Sequence, residues 1–533
     1  MSKMFRSTGA MAGATLISRL LGLVREMAYA RFMGNGWVAG AFLLAFQIPN
    51  LFRRLLGEGA LTAAFIPVFK ETEKREGERA MWHCANGVVS GLIVVASAVV
   101  LVAVAGISVA LGWGELENQT RLMLELLRVM FPYTLLVCLA AVCMGMLNAR
   151  GLFFIPALGA ALLNVVMIAT VLVWAPRIEG GLESRIHALA WGVLAAGVAQ
   201  ALFQLPALWR EGWRPRWVTP WRETGTMEVV RRMIPTTVGV AAFQLNLLIT
   251  QGFAFVLGAS IVASFQYAVR LMELPQGLFG VSMATFLLPT LSGLATDRKY
   301  EEFRSMLLHG LSHLLLINLL ASALLMGLAR PIVRLLYEGG AFQASATESV
   351  AFALVFLAPG LVAFSATGIL ARAFYALGET RVPMQISVFC LALNTVLSVL
   401  FVLALREGGL ALANTLTALA NAALLGYALK RKFPKLDWGW LWRETRVVLA
   451  VAVAVGIGVA LLGRGLEDFL GTEGGWARGA TVAVPAGIGA LAYGVLLGWL
   501  KVRAFRDWLE WAVTSIRRRA GGGGEDGGTG GKS

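Results

Sequence analysis

Residues 47–69 read Gln47-Ile-Pro-Asn-Leu-Phe-Arg-Arg-Leu-Leu-Gly-Glu-Gly-Ala-Leu-Thr-Ala-Ala-Phe-Ile-Pro-Val-Phe69, and this stretch decides the fold. It is apolar and long enough to cross a bilayer, which takes about 20 helical residues. Yet Arg53, Arg54 and Glu58 stand in its middle. A charge at bilayer depth costs roughly 2.5–3.5 kcal/mol on insertion scales, so such residues face a bundle interior or a water-filled cavity. The sequence therefore predicts one wall of a polar site inside a membrane protein.

The composition of the whole chain indicates the same class. Of 533 residues, 58% are hydrophobic and 14% are charged, whereas soluble domains have about 45–50% and about 25%. We therefore predict an all-α polytopic membrane protein, because long apolar runs cross lipid as helices. The net charge of +15 lies mainly in short loops between apolar runs. This is the positive-inside pattern, so nucleic acid is not an expected partner.

The apolar runs predict about fourteen transmembrane helices. The second and the eighth are longer than a bilayer requires and contain Pro and Gly, so we expect them to be interrupted. Lys and Arg are several-fold more frequent in alternate loops, which places both termini in the cytoplasm. The predicted spans are 10–32, 39–69, 84–111, 121–148, 154–175, 186–208, 229–257, 260–292, 304–328, 348–376, 383–405, 408–429, 446–463 and 478–500.

An internal repeat divides these helices. Phe65-Ile-Pro-Val-Phe69 returns as Leu287-Leu-Pro-Thr-Leu291, and the segment 146–156 returns as 374–383. We therefore predict two six-helix lobes with the same orientation in the membrane, followed by an added helix pair. The predicted parts are an N-lobe (1–208), a basic Trp-rich cytoplasmic linker (209–228), a C-lobe (229–430), the additional helix pair (431–500), and a basic amphipathic segment with a disordered Gly-rich tail (501–533).

The linker and the tail are each expected to touch lipid headgroups or solvent. Trp209, Trp213, Trp217 and Trp221 alternate with arginines, which is typical of an interfacial anchor. The segment 501–519 has the pattern of a basic amphipathic helix on the inner leaflet. The Gly-rich residues after it have no apolar surface to bury, so disorder is expected.

Charged residues inside the predicted spans define the candidate site. On a helix, Arg19 can pair with Glu26, Arg54 with Glu58, and Arg270 with Glu273. An excess of about two positive charges then remains, more if Arg372 also points inward. Surplus guanidinium groups favour an anion such as phosphate or pyrophosphate, which accepts paired hydrogen bonds. Internal salt bridging is the alternative role. The site residues are Arg19, Arg25, Arg53 and Arg270, with Glu26, Arg54, Glu58, Glu273 and Arg372 as charge partners.

Six motifs carry a resemblance to a known family: 18–26 (SRLLGLVRE), 46–54 (FQIPNLFRR), 58–60 (EGA), 65–67 (FIP), 270–275 (RLMELP) and 287–292 (LLPTLS). In these motifs the chain resembles the MurJ or MviN-type lipid II flippases of the multidrug/oligosaccharidyl-lipid/polysaccharide exporter superfamily. The resemblance extends over residues 1–510. It departs at Gly40 and Val269, where members of the family carry Asp.

The resemblance implies translocation of undecaprenyl-pyrophosphate-linked peptidoglycan precursor across the bacterial inner membrane, with the matching arginines lining a central cavity. It implies that the helix pair 446–500 contributes to a groove for the polyprenyl tail. The expected partners are this lipid-linked precursor and membrane lipids, and cell-wall synthesis proteins are further candidate partners. The chain itself is expected to be monomeric. No cofactor and no metal are expected. Some members bind sodium, and the nearest weak candidates here are Asn246, Asn394, Ser398 and Thr415, without a carboxylate among them.

Three alternatives compete with this reading. A flippase for another lipid-linked oligosaccharide would share the arginines, whereas a drug exporter of the same superfamily predicts an acidic or apolar cavity. A membrane glycosyltransferase or phosphatase needs acid/base groups or metal ligands at the membrane surface. The four histidines are scattered and the loops are short, so we expect no enzymatic activity. These histidines are His83, His187, His309 and His313.

Overall fold

The structure is a computed structural model, and it describes part of the chain. The backbone is described for residues 2–53, 60–113, 115–507 and 509–510. Side chains are described for the same residues except 2–16, 60–63, 235–243, 245–246, 281–282 and 285. Arg54, Glu58 and the Gly-rich tail therefore lie outside the described residues.

Within those ranges the regular structure is helical, apart from one isolated bridge between Gly339 and Phe342. The prediction of an all-α fold is confirmed. The helices are α1 (Ser2–Met33), α2 (Trp37–Phe52), α3 (Ala60–Glu76), α4 (Glu78–Gly112), α5 (Asn118–Met130), α6 (Tyr133–Ala149), α7 (Phe154–Ala169), α8 (Leu182–Arg210), α9 (Thr224–Leu257), α10 (Ala259–Pro275), α11 (Ser282–Thr296), α12 (Tyr300–Gly327), α13 (Ala329–Tyr337), α14 (Ala344–Leu357), α15 (Gly360–Ala376), α16 (Arg381–Lys432), α17 (Trp438–Leu470) and α18 (Gly475–Trp499).

The number of membrane crossings stays a prediction. Among the described residues, seven helices are long and apolar enough to cross a membrane, or nine if two bent pairs each count as one span. In the part of the chain that the structure describes, the predicted spans are mainly helical, but several are divided. Proline explains two breaks, because α5 and α6 meet at Pro132 with a 42° bend, and α14 and α15 meet at Pro359 with a 43° bend. The eighth predicted span contains a π-helical segment, Gln276–Val281, directly after Pro275.

Exposed aromatic side chains mark the ends of the C-terminal helix. On α18, Trp476 and Trp499 are each 78% exposed. They are 23 residues apart, about 35 Å at 1.5 Å per residue. Apolar side chains between them, such as Leu491 and Val495, are also exposed. Indole rings flanking an exposed apolar band of this length are typical of a helix that spans a bilayer.

The chain forms two compact units. Unit 1 comprises Met1–Arg270, Leu336–Val350 and Thr395–Leu410, and unit 2 comprises Leu271–Leu335, Ala351–Asn394 and Ala411–Ser533. In unit 1, α1 packs on α7, α2 on α5, and α6 on α8. In unit 2, α17 packs on both α12 and α18, and α11 packs on α15. The five-part division of the sequence stays a prediction.

The predicted repeat has a counterpart in local structure. In unit 1, Gly151 lies two residues after the end of α6 and has φ 82°, and the Leu152 amide donates to the Leu147 carbonyl at 2.9 Å. In unit 2, Gly378 lies two residues after the end of α15 and has φ 74°, and the Glu379 amide donates to the Phe374 carbonyl at 2.9 Å. Both are Schellman-type helix ends, in which glycine adopts the left-handed conformation without steric cost.

The two repeated proline motifs are also buried in equivalent ways. Phe65 and Phe69 on α3 lie in the core of unit 1, and Leu287 and Leu291 on α11 lie in a core of unit 2. All four side chains are at most 2% exposed. The apolar residues on either side of each proline therefore hold their helices to a core, which explains why the motif recurs.

The Trp-rich linker packs more closely on the protein than expected. Trp209, Trp217 and Trp221 are exposed, as an interfacial anchor requires. Trp213 is only 3% exposed, and its indole N–H donates to Asn86 Oδ1 on α4 at 3.0 Å. The expectation that Trp213 lies among lipid headgroups is therefore wrong. Its indole is buried because Asn86 supplies the hydrogen bond that headgroups would otherwise provide.

The start of the predicted amphipathic segment packs on unit 2. Val502 and Ala504 are buried against the apolar core that α12, α17 and α18 share. Lys501, Arg503 and Arg506 remain exposed. The segment thus has one apolar face on the protein and one basic face, while residues 511–519 lie outside the described residues.

A cluster of ion pairs joins three loops of unit 1 that were predicted to lie on the cytoplasmic side. The Arg150 guanidinium contacts Glu73 at 2.7 Å, Glu211 at 2.9 Å and Glu78 at 3.3 Å. The pKa of Glu73 is lowered, first by the hydrogen bond from Lys70 and then by the charge of Arg150. The hydrogen bond to Glu211 is the largest cause that raises the pKa of Arg150. We call this the inner end of unit 1.

We predict that Arg150→Met lowers the stability of the solubilised protein by roughly 1 kcal/mol, the scale of partly exposed ion pairs. A carboxylate with a lowered pKa stabilises the fold above its unfolded pKa of about 4.3, and this contribution is lost as the pH falls through the folded value. The variant should therefore lose less stability than the wild type between pH 6 and about pH 3. Thermal unfolding at several pH values measures both effects.

Arg79→Met is the matched control, because Arg79 is exposed near the same end and has no ion pair with the described residues. Equal melting temperatures for Arg150→Met and Arg79→Met at neutral pH would show that the cluster does not stabilise unit 1.

Candidate functional site

One buried carboxylate and two guanidinium groups form the centre of the candidate site in unit 1. Helix α1 carries Arg25 and Glu26, which are 9% and 5% exposed. Glu26 Oε1 lies 2.5 Å from Arg25 Nη2 and 3.5 Å from Arg270 Nε on α10. The Arg270 side chain is 33% exposed. A single negative charge is therefore shared by two positive charges that come from different helices.

This arrangement corrects the predicted pairing of Glu26. The sequence spacing paired Glu26 with Arg19, seven residues earlier on the same helix. The structure pairs it with Arg25 and Arg270 instead. The reason is that a helix from a distant part of the chain brings a second guanidinium to Glu26. Arg19 is half-buried on α1 and has no ion pair with the described residues.

Tyr29, one turn after Arg25 on α1, extends the cluster. The Arg25 guanidinium lies 5.4 Å from the centre of the Tyr29 ring, a cation–π contact. Tyr29 is 1% exposed. Among the residues that the structure describes, neither the Tyr29 hydroxyl nor Arg25 Nε has a hydrogen-bond partner. Buried donors are rarely left unsatisfied, so these two groups are available to the oxygens of an anion.

Three glutamines next to this cluster were missed by the analysis of charged residues. Gln266 lies one turn before Arg270 on α10, and its Nε2 donates to Gln47 Oε1 and Gln251 Oε1, each at 3.0 Å. The three side chains therefore connect α2, α9 and α10. The sequence signal that could have identified these glutamines is the presence of uncharged polar side chains in apolar spans, because amides in lipid also require hydrogen-bond partners.

Arg53 lies in a different polar environment. Its Nε donates to Asn50 Oδ1 at 2.7 Å, one turn earlier. It also lines a small pocket of about 40 Å³ together with Gln200 and Gln204 of α8. Gln204 is buried and donates to the Ala140 carbonyl at 3.0 Å. Since Arg53 has further contacts of its own, its role in substrate binding stays a prediction.

The remaining charged candidates are in unit 2. Glu273 follows the boundary of unit 1 on α10, and Arg372 is half-buried on α15. Arg372 has no ion pair with the residues that the structure describes. The pairing of Glu273 with Arg270 and the inward direction of Arg372 stay predictions.

Two of the weak sodium candidates use their polar atoms for other contacts. Thr415 donates to the Phe356 carbonyl at 2.7 Å, and Asn394 donates to Thr417 at 3.4 Å. Ser398 is 1% exposed, and Asn246 lies on α9 with its side chain outside the described residues. Across the described ranges, no group of three His, Cys, Asp or Glu side chains could hold a metal ion.

A large apolar groove lies within unit 2. Its volume is about 580 Å³, and it is bounded by α12, α14, α15, α16 and α17. Helices α12 and α17 approach closely at its base, because a Cβ on Gly327 would lie 2.7 Å from the Gly456 carbonyl oxygen. The lining residues are almost all apolar, for example Met326, Val355, Leu449, Val453, Ile457 and Ala460.

The chain is similar to known proteins over most of its length. The family model described as "Lipid II flippase MurJ" matches residues 29–471. A lipid II flippase MurJ from Burkholderia cenocepacia is 34% identical over 448 residues, covering 82% of this chain and 86% of that protein. A probable lipid II flippase MurJ from Vibrio cholerae is 33% identical over 439 residues, covering 80% and 82%.

Solved structures show the same fold. "Lipid II flippase MurJ, inward closed conformation" matches with a TM-score of 0.76 and 22% identity, covering 94% of this chain and 99% of that one. An inward-facing multidrug resistance MATE family transporter of the MOP superfamily matches with a TM-score of 0.61 and 17% identity, covering 79% and 98%.

From the shared carboxylate we predict that Glu26→Gln destabilises the protein by roughly 3 kcal/mol, because it removes the counter-charge that the buried Arg25 guanidinium shares with the partly exposed Arg270 guanidinium. The double variant Glu26→Gln/Arg25→Met should recover part of this loss, since one of the two charges is then removed. Thermal unfolding of the purified protein measures both.

Glu71→Gln serves as the control, because Glu71 is 41% exposed and pairs with arginines at the surface. A Glu26→Gln protein as stable as the Glu71→Gln protein would mean that Glu26 carries no charge that the fold depends on.

Proposed function

Because the chain belongs to the family described as lipid II flippase MurJ, we propose that it moves lipid-linked peptidoglycan precursor between bilayer leaflets. The substrate is the undecaprenyl-pyrophosphate-linked precursor, carried from the cytoplasmic to the periplasmic leaflet by alternating access. Its pyrophosphate binds to Arg19, Arg25, Arg53 and Arg270. The single observation that carries this proposal is the sharing of Glu26 by Arg25 and Arg270.

The charge of the cluster favours an anionic substrate. Two guanidinium groups share one carboxylate at a site where Arg25 and Glu26 are buried. Low dielectric strengthens the attraction for an anion. A drug exporter that binds cations would face repulsion at the same place, so this alternative is disfavoured. A flippase for another lipid-linked oligosaccharide would share the pyrophosphate, and the two are distinguished by the carrier-linked substrate that is moved.

Arginine also matches the geometry of the proposed ligand. A guanidinium donates two parallel hydrogen bonds to phosphate oxygens, which an ammonium cannot do. Arg25 Nε and the Tyr29 hydroxyl supply two donors that the described residues leave unused. A pyrophosphate bound there would compete with Glu26 for both arginines.

That competition supplies a coupling between binding and movement. Glu26 connects α1 to Arg270 on α10, so an anion that replaces it weakens the bridge between these helices. A ligand shifts a conformational equilibrium only through different affinities for the two states. Here the difference in affinity arises because the arginines bind the Glu26 carboxylate in one conformational state and the pyrophosphate in the other.

The groove of unit 2 fits the polyprenyl tail. A volume of about 580 Å³ with an almost wholly apolar lining accommodates several isoprene units without desolvating polar groups. The resemblance stated above assigned such a groove to the helix pair 446–500, and α17 does form one of its walls.

The proposed setting is the bacterial inner membrane, with both termini in the cytoplasm. The cluster lies wholly in unit 1 and the groove wholly in unit 2 of one chain, so neither requires a second copy. We therefore propose a monomer that works beside cell-wall synthesis proteins. Transport of an intact lipid forms and breaks no covalent bond. We therefore propose no catalytic activity, cofactor or metal.

Arg25→Ala and Arg270→Ala are predicted to abolish growth in a complementation assay and to prevent labelled precursor from reaching an outside probe. Arg19→Ala and Arg53→Ala should do the same if they bind the same group. Lysine at these positions should rescue only partly, because it lacks the paired donors. Arg128→Ala is the control, since Arg128 is exposed on α5 without an ion pair to the described residues. Normal growth of the Arg25 and Arg270 variants would refute the binding role.

Ala460→Phe is predicted to fill part of the groove and to slow transport of the long-chain substrate severalfold. A substrate analogue with a short polyprenyl chain should be affected much less, because it does not reach the groove. Ala454→Phe is the matched control, since Ala454 is exposed on the same helix outside the groove. Transport should be measured in liposomes with both chain lengths, and equal inhibition of both would exclude the groove as the tail site.

A further inference from the structure

A small pocket in unit 1 lies among helices that do not contribute to the charged cluster of Arg25, Glu26 and Arg270. Its volume is about 40 Å³, and it is bounded by α6, α7, α8 and the Arg53 side chain. Two glutamines of α8 also line it. The apolar part of its wall includes Val137, Ala141 and Met144 of α6 and Pro156 of α7. The pocket therefore presents both an apolar surface and polar side chains to a ligand.

The two glutamines of the pocket differ in how their amides are satisfied. Gln200 uses both ends of its amide, because Oε1 accepts from the Tyr133 hydroxyl at 3.3 Å and Nε2 donates to the Gly159 carbonyl at 3.1 Å. Gln204 uses only its nitrogen, which donates to the carbonyls of Ala140 and Gln200 at 3.0 and 3.2 Å. Gln204 Oε1 has no hydrogen-bond partner among the described residues, although the side chain is 3% exposed. A buried acceptor is rarely left unsatisfied, so the pocket lacks a donor.

Arg53 brings the opposite kind of polar group to the same pocket. A guanidinium has five N–H donors and no acceptor. A ligand group in this pocket must therefore accept a hydrogen bond from Arg53 and donate one to Gln204. A carboxylate cannot donate to Gln204, and an ammonium group would be repelled by Arg53. A hydroxyl group and a secondary amide both meet the two requirements.

The size of the pocket and its apolar wall distinguish between these two groups. A single water needs about 10–15 Å³ of cavity volume, so about 40 Å³ has room for roughly three to four non-hydrogen atoms. A hydroxyl group alone would leave the apolar wall uncovered, whereas the methyl of an acetamido group would be buried against it. The N–H and C=O of a trans amide point in opposite directions. An acetamido group can therefore lie between Arg53 and Gln204 while its methyl contacts α6.

We propose that this pocket binds the N-acetyl group of an amino sugar on the transported headgroup. Arg53 donates to the acetyl oxygen, and Gln204 Oε1 accepts from the amide N–H. A peptide bond has the same polar atoms, but its chain continues on both sides and so small a pocket has no room for that continuation. The inference rests on the proposed function for the lipid carrier and adds the sugar group that the protein selects. One guanidinium can donate to a phosphate oxygen and to an acetyl oxygen, so both roles of Arg53 are compatible.

The test measures the affinity of the purified full chain for lipids with the same short polyprenyl chain. The lipids carry pyrophosphate alone, pyrophosphate with glucose, or pyrophosphate with N-acetylglucosamine. The wild type is expected to bind the acetylated lipid about tenfold more tightly than the glucosyl lipid, because the acetamido group adds two hydrogen bonds and a buried methyl.

Gly159→Ala is the main variant, since Gly159 lines the pocket and an added Cβ would lie 3.7 Å from Gln204 Nε2, an ordinary contact distance. The new methyl takes up pocket volume without a clash, and alanine favours a helix over glycine. The preference for the acetylated lipid should fall below about twofold, as two hydrogen bonds are lost, while the affinity for polyprenyl pyrophosphate stays the same. Gln204→Met, which removes the acceptor at similar side-chain length, is the second variant and should have the same effect.

Gly106→Ala is the matched control, because Gly106 is exposed on α4 and has no atom within 4 Å of an added Cβ. It should keep the preference of the wild type. Equal affinity of the wild type for the glucosyl and acetylated lipids would overturn the proposal and leave the pocket to an ordered water. The same preference in folded Gly159→Ala and Gln204→Met proteins would also overturn it, as would a preference that appears only when a peptide is attached to the sugar.

A second measurement separates this inference from the proposed function. The methyl glycoside of N-acetylglucosamine, which has neither lipid nor pyrophosphate, is added at millimolar concentration, and saturation transfer from the protein to its acetyl methyl protons is recorded by NMR. Transfer in the wild type and in Gly106→Ala, with loss in Gly159→Ala, would retain the pocket. In that case failure to bind polyprenyl pyrophosphate would reject only the proposed function. Binding of polyprenyl pyrophosphate without any acetyl preference or transfer would do the reverse.

Discussion

The sharing of one buried carboxylate by two arginines is the interaction on which the rest of the site depends. A charged side chain inside an apolar bundle is costly, and removal of one partner from a buried pair costs more than the pair contributes. Glu26 therefore holds Arg25 and Arg270 in place. Because α1 and α10 carry these residues, the interaction connects the two helices at the place where we propose that an anion binds.

Polar and aromatic side chains surround this cluster. The glutamine contacts join α2, α9 and α10 beside Arg270, and the Tyr29 ring lies against the Arg25 guanidinium. Such contacts fix the direction in which the guanidinium groups point, which matters more for recognition of pyrophosphate than the total charge.

The sequence predicted the helical membrane fold, because apolar length is a local property of the chain. Of the arginines that it assigned to the site, Arg25 is buried. It also indicated the repeat, whose left-handed glycines Gly151 and Gly378 end equivalent helices. The partner of Glu26 was not predictable in the same way, since Arg270 is 244 residues away. Nor was the burial of Trp213, which depends on Asn86 of another helix. Contacts between distant segments depend on tertiary packing, so the spacing of residues along one helix does not predict them.

The central claim is that the arginines of α1 and α10 recognise a pyrophosphate on a lipid carrier. The most direct measurement is the affinity of the purified wild-type protein for polyprenyl pyrophosphate compared with polyprenyl monophosphate of the same chain length. Paired hydrogen bonds to a second phosphate predict at least roughly tenfold tighter binding of the pyrophosphate. Equal affinity for the two lipids would contradict the account, because the tail alone would then explain binding.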